Sequence, residues 1–175
     1  MIKTERLILR NWREEDVEPF AAMGQDPEVM RHFPALLSHD ESVATFHRAR
    51  GKIADRGYGF WALERRSDGV FLGFTGIQDY SPDLPLTGIE AGWRLARHAW
   101  GQGYASEAAR AALAFAFETL NAPEVSAITA TSNLQSQAVM RRIGMTARPE
   151  LDFDHPSLAK DSPLLRHVVY AIAQP

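Results

Sequence analysis

Hydrophobic positions near the start of the chain recur at two different spacings. Leu7, Ile8 and Leu9 form a short apolar run between charged residues, which predicts a strand. Negative charge then begins at Glu14 and favours the start of a helix, which we expect to run over Glu14–Met23. Apolar residues at helical spacing, separated by charges, predict a second helix over Glu41–Ala54.

Three strands are predicted next, because β-forming runs alternate with turn-forming sequences over Gly59–Glu64, Val70–Asp79 and Gly88–Leu95. The third strand has an apolar face, whereas its other face carries a carboxylate (Glu90), a gap (Gly92) and a cation (Arg94). A glycine inside a strand marks a bulge or a close approach of another group.

The second half of the chain alternates helix and strand. The elements predicted are a helix ending near Leu120, a strand over Val125–Thr131, a helix over Leu134–Ile143 closed by Gly144, and strands over Met145–Ala147 and Leu164–Ile172. A meander of strands followed by this alternation predicts an α/β (α+β) fold with a mixed sheet. We expect one domain spanning residues 1–175, since no linker divides the chain.

Composition narrows the function classes. The net charge of -3 argues against a nucleic-acid partner. With no cysteine, the chain has no disulfides, thiolate metal sites or covalent cysteine intermediate. No apolar run of about 18 residues suggests a membrane span, so we expect a cytoplasmic protein that has no membrane partner.

Two glycines, Gly101 and Gly103, separate a bulky Trp100 from an alanine-rich helix. A helix start exposes unpaired N–H groups, and small residues there suit an anion such as a phosphate. The local pattern leaves a second interpretation open, in which the glycines only form a tight turn. A dinucleotide-binding GxGxxG motif is disfavoured because its third glycine is replaced by Ser106. We predict no metal, since no histidine has ligand spacing: His32, His39, His47, His98, His155 and His167.

The segment Trp100–Ala105, WGQGYA, resembles the acetyl-CoA pyrophosphate loop of the GNAT N-acetyltransferase family. Its form is that of the branch that acetylates ribosomal-protein N-termini at alanine or serine, although Trp100 replaces the family's usual leading Gln or Arg. Further stretches resemble the same branch, in the same order along the chain: TERLILR with Trp12 (Thr4–Arg10), IEAGW (Ile89–Trp93), NLQS (Asn133–Ser136) and RRIGM (Arg141–Met145).

The resemblance implies a sheet splayed at a bulge, with acetyl-CoA as cosubstrate between the parted strands. It implies cofactor-binding positions at Leu95, Arg97, Trp100, Gly101, Gln102, Gly103, Tyr104, Ala105, Ser106, Asn133, Ser136, Arg141 and Arg142. It further implies direct transfer of acetyl to a primary amine and the family's expectation of a homodimer. The tyrosine that many relatives place after the NxxS region is absent, so Ser136 is the candidate donor to the leaving thiolate.

Glu90 is the candidate catalytic base, because an amine must lose its proton before it attacks a thioester. The alternative for Glu90 is a strand carboxylate paired with Arg94. Similarly, Ser132 and Gln135 form a capping-box pattern that would give the Asn133–Ser136 stretch a structural role. The acceptor cleft is expected between the first two helices and residues 152–163.

The acceptor remains open between a protein N-terminal α-amine and a small amine, amino acid or antibiotic. A non-catalytic acyl-CoA-binding regulatory module is the alternative from another class.

Overall fold

All nine strands of the chain join one sheet in the computed structural model, which describes residues 1–175. The strands are β1 (Ile2–Lys3), β2 (Leu7–Arg10), β3 (Phe60–Arg65), β4 (Phe71–Asp79), β5 (Ile89–Leu95), β6 (Glu124–Ala130), β7 (Thr146–Ala147), β8 (Phe153–Asp154) and β9 (Arg166–Ala173). The helices are α1 (Val17–Gln25), α2 (His39–Arg56), α3 (Tyr104–Glu118) and α4 (Leu134–Arg142). The predicted α/β class with a mixed sheet is confirmed.

The sheet is antiparallel except where β5 meets β6. Its order is β1-β2-β3-β4-β5-β6-β9-β7, with β8 also paired to β9. The parallel pairing of β5 with β6 covers only Ile89 with Val125 and Glu90 with Ser126. Beyond Glu90 the two strands are no longer paired, so the predicted opening of the sheet is present and leaves backbone edges for another group to fill.

The bulge expected in β5 at Gly92 is absent from the pairing with β4. That register is unbroken from Gly73 opposite Leu95 to Asp79 opposite Ile89, and the irregularity of the sheet lies instead between Leu63 and Glu64 of β3. Gly92 serves a close approach: a Cβ there would lie 2.9 Å from the ring of Phe60. The opening therefore follows from the early end of the β5–β6 pairing.

Aromatic residues cover both faces of the sheet and fix its helices. On one face the Trp61 and Phe115 rings are 5.3 Å apart, which packs α3 against β3. On the other face the ring of Trp12 lies 5.0 Å from Phe20 of α1 and 5.9 Å from Phe46 of α2. The face of β5 that bears Glu90 and Arg94 is the α1–α2 face, because Arg94 lies over the Phe20 ring.

A buried ion network secures the end of β2. Arg10, only 5% exposed, donates two hydrogen bonds to Asp16 at 2.7 and 2.9 Å and one to Glu64 at 2.6 Å. The same Asp16 accepts the backbone N–H of Arg13 at 2.8 Å. Because these bonds hold residues 14–16 in a 3-10 turn, α1 begins at Val17, three residues later than predicted.

Helix boundaries otherwise follow local capping chemistry. Helix α2 begins earlier than predicted because the Ser38 hydroxyl accepts the N–H of Glu41 and the Glu41 carboxylate accepts the N–H of Ser38. It ends at Gly57, whose φ of 79° is in the left-handed region. Gly144, with φ of 92°, follows α4 as predicted. The short strands β1 and β8 were not predicted, since two-residue strands carry no detectable periodicity. No helix combines the length and hydropathy needed to cross a bilayer.

Candidate functional site

A cavity of about 1540 Å³ opens where β5 and β6 part. Its walls include β5 from Glu90 to Leu95, the start of α3, residues of α4 and the loop between α1 and α2. The volume exceeds that of a typical small-molecule pocket, about 300–1000 Å³, so it has room for two ligands side by side.

The N-terminus of α3 presents free backbone donors to this cavity. Gly103 is the N-cap residue and no side chain caps the helix. The backbone N–H groups of residues 101–106 donate to no backbone or side-chain acceptor, whereas that of Trp100 donates to Arg97. Six uncapped N–H groups at the positive end of a helix dipole form a suitable site for an anion such as a diphosphate.

The two glycines of the loop are required by backbone conformation. Gly101 has φ of 73° and Gly103 has φ of 78°, both in the left-handed region that L side chains rarely adopt. A Cβ would meet nothing within 4 Å at Gly101, and only the Arg6 guanidinium at 3.6 Å at Gly103. The glycines therefore shape the turn that brings the amides together.

Arg6, which the sequence analysis did not single out as a site residue, joins the N-terminal motif to this loop. Its Nη1 donates to the Gln102 carbonyl oxygen at 2.9 Å, and its Nε donates to Glu107 at 2.7 Å. Its guanidinium also lies 4.7 Å from the centre of the Tyr104 ring. The TERLILR stretch therefore supplies the residue that supports the loop. That residue, Arg6, also lines the cavity.

Two further arginines add positive charge beside the helix start. Arg110 and Arg142 line the cavity, and Arg110 donates to the Arg142 carbonyl oxygen at 2.6 Å. Unlike Arg6, which pairs with Glu107, neither of them forms an ion pair with a carboxylate. A polyanion bound at the helix start would have these cations within the same wall.

Most of the cofactor-binding positions expected from the sequence lie in the cavity wall. These are Leu95, Trp100, Gly101, Gly103, Tyr104, Ala105, Ser106, Asn133, Ser136 and Arg142. Trp100 is held in place by a hydrogen bond from its Nε1 to the Leu95 carbonyl oxygen at 2.8 Å.

Three expected positions lie outside the wall. Arg141 donates to the Tyr170 hydroxyl at 3.0 Å, and Arg97 faces Asp26 at 3.8 Å. Gln102 contributes its carbonyl oxygen to Arg6. Tertiary partners therefore hold the Arg141 and Arg97 side chains away from the cavity, whereas Gln102 takes part in the loop only through its backbone.

The start of α4 brings Asn133 and Ser136 to the cavity. Asn133 is the N-cap, and its Oδ1 accepts the Ser136 N–H at 3.1 Å while its Nδ2 donates to Thr129 at 2.9 Å. The capping box suggested by Ser132 and Gln135 is therefore wrong, since Asn133 is the cap of a helix that begins at Leu134 as predicted. The Ser136 hydroxyl makes no hydrogen bond with the rest of the protein, so it is free to donate into the cavity.

Glu90 lies in the wall on the α1–α2 face of β5, and its partner is a neutral side chain. Gln78 Nε2 donates to the Glu90 carboxylate at 3.3 Å, and Lys52 in turn donates to Gln78 at 3.2 Å. Burial raises the pKa of Glu90 above its usual value, which these neighbours only partly offset. The alternative pairing with Arg94 does not form. Glu90 is therefore a partly buried carboxylate that has a neutral hydrogen-bond partner and no ion pair.

The far wall of the cavity belongs to loops. The segment 28–34, which joins α1 to α2, contributes Val29, His32 and Phe33, and the region after β8 contributes His155 and Leu158. Part of the segment 152–163 therefore lines the cavity, as it would if it formed the acceptor cleft. The first two helices themselves do not line the cavity; the loop between them does. No group of three or more His, Asp or Glu side chains is arranged to hold a metal ion.

Comparison with known proteins gives one consistent result. The family model of the acetyltransferase (GNAT) domain matches residues 6–146. YkkB, an uncharacterized protein of Bacillus subtilis, is 31% identical over 143 residues, which are 81% of this chain and 83% of that protein.

A protein with a named activity is similarly related. The FsC-acetyl coenzyme A-N(2)-transacetylase of Aspergillus fumigatus is 32% identical over 152 residues, covering 83% of this chain and 64% of that protein. Among solved structures, an acetyltransferase of Agrobacterium tumefaciens matches with a TM-score of 0.80 and 28% identity, over 99% of this chain and 94% of that one.

Proposed function

The chain belongs to the GNAT acetyltransferase family as an N-acetyltransferase, and we propose that it moves acetyl from acetyl-CoA to a primary amine by direct attack. The observation that carries this proposal is one cavity joining two features. The uncapped start of α3, with its free N–H groups at residues 101–106, lies at one side. The partly buried carboxylate of Glu90 lies at the other.

The residues at the α3 side fit the diphosphate of coenzyme A. Backbone N–H groups of residues 101–106 would hold its oxygens, with Arg6, Arg110 and Arg142 supplying positive charge. The backbone edges that β5 and β6 leave open beyond Glu90 suit an extended, amide-bearing arm. When bound, acetyl-CoA supplies the activated thioester carbonyl.

Glu90 takes the proton of the acceptor amine. A primary amine is mostly protonated at neutral pH, since its pKa is about 8 for an α-amine and above about 10 for a lysine-type amine. The raised pKa of Glu90 makes its carboxylate a stronger base than an exposed glutamate. The free electron pair of the nitrogen then forms the new bond to the acetyl carbon.

Ser136 donates toward the sulfur as the carbon–sulfur bond breaks. Its unbonded hydroxyl and its place at the start of α4 support this role. The backbone N–H groups of β5 beyond the end of its pairing with β6 are the candidate donors to the oxyanion. The transfer forms no acyl-enzyme and uses no metal, so acceptor and donor are bound together.

The branch resemblance names a protein N-terminal α-amine as the acceptor. The alternatives are a small amine, an amino acid or an antibiotic. Arg94, which lines the cavity without an ionic partner, favours the amino acid. The same proposal includes one catalytic domain over residues 1–175, a cytoplasmic location and a homodimer.

The test is release of coenzyme A from acetyl-CoA in the presence of a panel of amines, amino acids and peptides, with mass spectrometry of each product. We expect one acceptor class to be acetylated on nitrogen, and E90Q to lose that activity while it still binds acetyl-CoA. A regulatory module would instead bind acetyl-CoA and release no coenzyme A with any acceptor, and E90Q would leave every measured property unchanged.

A further inference from the structure

Arg94 is a half-buried cation without an ionic partner, and it lies in the wall of the cavity on the same face of β5 as Glu90. Its side chain leaves the same face of β5 as Glu90 and lines the cavity. It forms no ion pair, its buried Nε has no hydrogen-bond partner, and its one polar contact is from Nη1 to the Met30 sulfur at 3.0 Å. A thioether is a weak acceptor, so this guanidinium is largely unsatisfied.

Aromatic rings stack around Arg94 and replace part of its hydration. Its guanidinium carbon lies 4.6 Å from the centre of the Phe33 ring, 5.0 Å from Phe74 and 5.8 Å from Phe20. Such contacts attract the charge of the group, but they supply no oxygen acceptor to its N–H donors. Burial lowers the pKa of Arg94 to about 10, which still leaves it charged at neutral pH.

The chain treats Arg10, which is buried, differently. Arg10 is satisfied by Asp16 and Glu64 within 2.6 to 2.9 Å. The acids near the Arg94 side of the cavity are not available to it, since Glu28 pairs with Arg31 and Asp26 faces Arg97. An isolated buried charge is costly, and the protein retains it where a ligand would complete the pair.

Strand β5 places the Arg94 cation on the same face as the candidate base, Glu90. Glu90, Gly92 and Arg94 occupy one face in turn, so the two charged residues are about 13 Å apart at their Cα atoms, and the Phe60 ring, which also lines the cavity, covers Gly92 between them. A ligand lying across the Phe60 ring would direct a positive or neutral amine toward Glu90 and a negative group toward Arg94. That is the charge pattern of an amino acid.

We propose that the acceptor is a small primary amine that carries its own carboxylate, held by the Arg94 guanidinium while its amine faces Glu90. This inference rests on the proposed N-acetyltransferase function and narrows its acceptor. A guanidinium and a carboxylate form paired, charge-assisted hydrogen bonds, and the aromatic rings around Arg94 shield them from water. An amine without the carboxylate leaves the Arg94 cation unpaired and is rejected for that reason.

The experiment compares matched acceptors that differ at one group. Each natural amino acid is tested beside its carboxamide and its decarboxylated amine, with coenzyme A release as the readout. The carboxamide has the lower amine pKa and is the better nucleophile at neutral pH, so any preference for the free acid comes from binding. We expect kcat/KM at least about 100-fold higher for the best amino acid than for its carboxamide.

Three variants test whether Arg94 causes the preference for the free acid over the carboxamide. R94M keeps an unbranched chain that fits among the rings, and we expect it to lose the preference for the acid with no fall in Tm, since an unpaired charge is removed. R94K should retain part of the preference. R50M, at an exposed arginine of α2 that pairs with Glu14, should leave the preference for the acid unchanged.

A binding measurement separates this inference from the proposed function. In the presence of coenzyme A, the best amino acid and its des-amino analogue should raise the Tm of the wild type, and neither should raise that of R94M. If these ligands raise the Tm but no amine releases coenzyme A, transfer is refuted while the carboxylate site stands. If carboxamides or peptides are acetylated as well as free acids, or R94M keeps the preference, the carboxylate site is refuted while transfer stands.

Discussion

The Arg6 guanidinium donates a hydrogen bond of 2.9 Å to the carbonyl oxygen of Gln102, 96 residues further along the chain. A second bond, to Glu107 in the first turn of α3, fixes the same side chain. The start of β2 thereby supports the loop whose N–H groups face the cavity. Two stretches that the sequence presents as separate motifs form one structural unit.

The first prediction concerns this support. R6M should raise the KM for acetyl-CoA about 10-fold or more, because a hydrogen bond from a charged group contributes about 1.5–3 kcal/mol, while kcat changes less. Steady-state kinetics with varied acetyl-CoA measures both constants. R66M is the matched control, since Arg66 also bonds the N-terminal segment, at the Thr4 and Glu5 carbonyl oxygens, but does not line the cavity. Equal effects of the two variants would contradict a specific role for Arg6.

The second prediction concerns the loop conformation. G103V and G69V each place a side chain at positive φ, 78° and 72°, and each should lower the unfolding free energy by about 1–2 kcal/mol. Acetyl-CoA at 100 times its Kd should raise the wild-type Tm by about 5–10 °C. We expect G69V to keep that rise and G103V to lose it, as measured by thermal denaturation. A full rise in G103V would refute the anion site at α3.

The third prediction concerns pH. Burial raises the pKa of Glu90, so the wild-type rate should fall as pH falls through that raised value, where the carboxylate becomes protonated and no longer accepts a proton. E90Q should lower kcat by at least about 100-fold and remove this acidic limb. The measurement is a pH profile of kcat. The control is D79N. Asp79 is an exposed carboxylate of β4 that pairs with Arg56 of α2, and D79N should retain the wild-type profile.

The fourth prediction concerns the leaving group. S136A should lower kcat about 10-fold, equivalent to about 1.4 kcal/mol, with little change in the KM for acetyl-CoA. The helix cap survives because the bond from Asn133 is to the Ser136 backbone N–H. S81A, at an exposed serine that bonds Asp83 between β4 and β5 and does not line the cavity, serves as the control. An unchanged kcat in S136A would assign Ser136 a structural role only.

The fifth prediction concerns stability. R10A leaves Asp16 and Glu64 buried without their cation and should lower the unfolding free energy by about 3–5 kcal/mol. R65A breaks an ion pair with Asp68 at the surface and should cost at most about 1 kcal/mol. Urea unfolding followed by circular dichroism compares the two. A loss of similar size in both variants would show that the Arg10 network adds nothing beyond a surface pair.

The sequence by itself determined the elements whose causes are local. The apolar run at Leu7–Leu9, the glycine after α4 and the chain of strands before α3 all specify short-range structure, because side-chain spacing and backbone preference act over a few residues. The WGQGYA loop was also visible, since positive φ requires glycine. Even the face shared by Glu90 and Arg94 followed from the strand period.

Only the tertiary structure decided how those residues are paired. Strand alternation suggested that Arg94 would neutralise Glu90, yet the fold gives Glu90 a glutamine and surrounds Arg94 with aromatic rings from other elements. The predicted β5 bulge was replaced by an early end of pairing with β6. Burial and ionic partnership depend on segments far apart in the chain, so one-dimensional spacing cannot specify them; the sheet and its loops do so when they assemble.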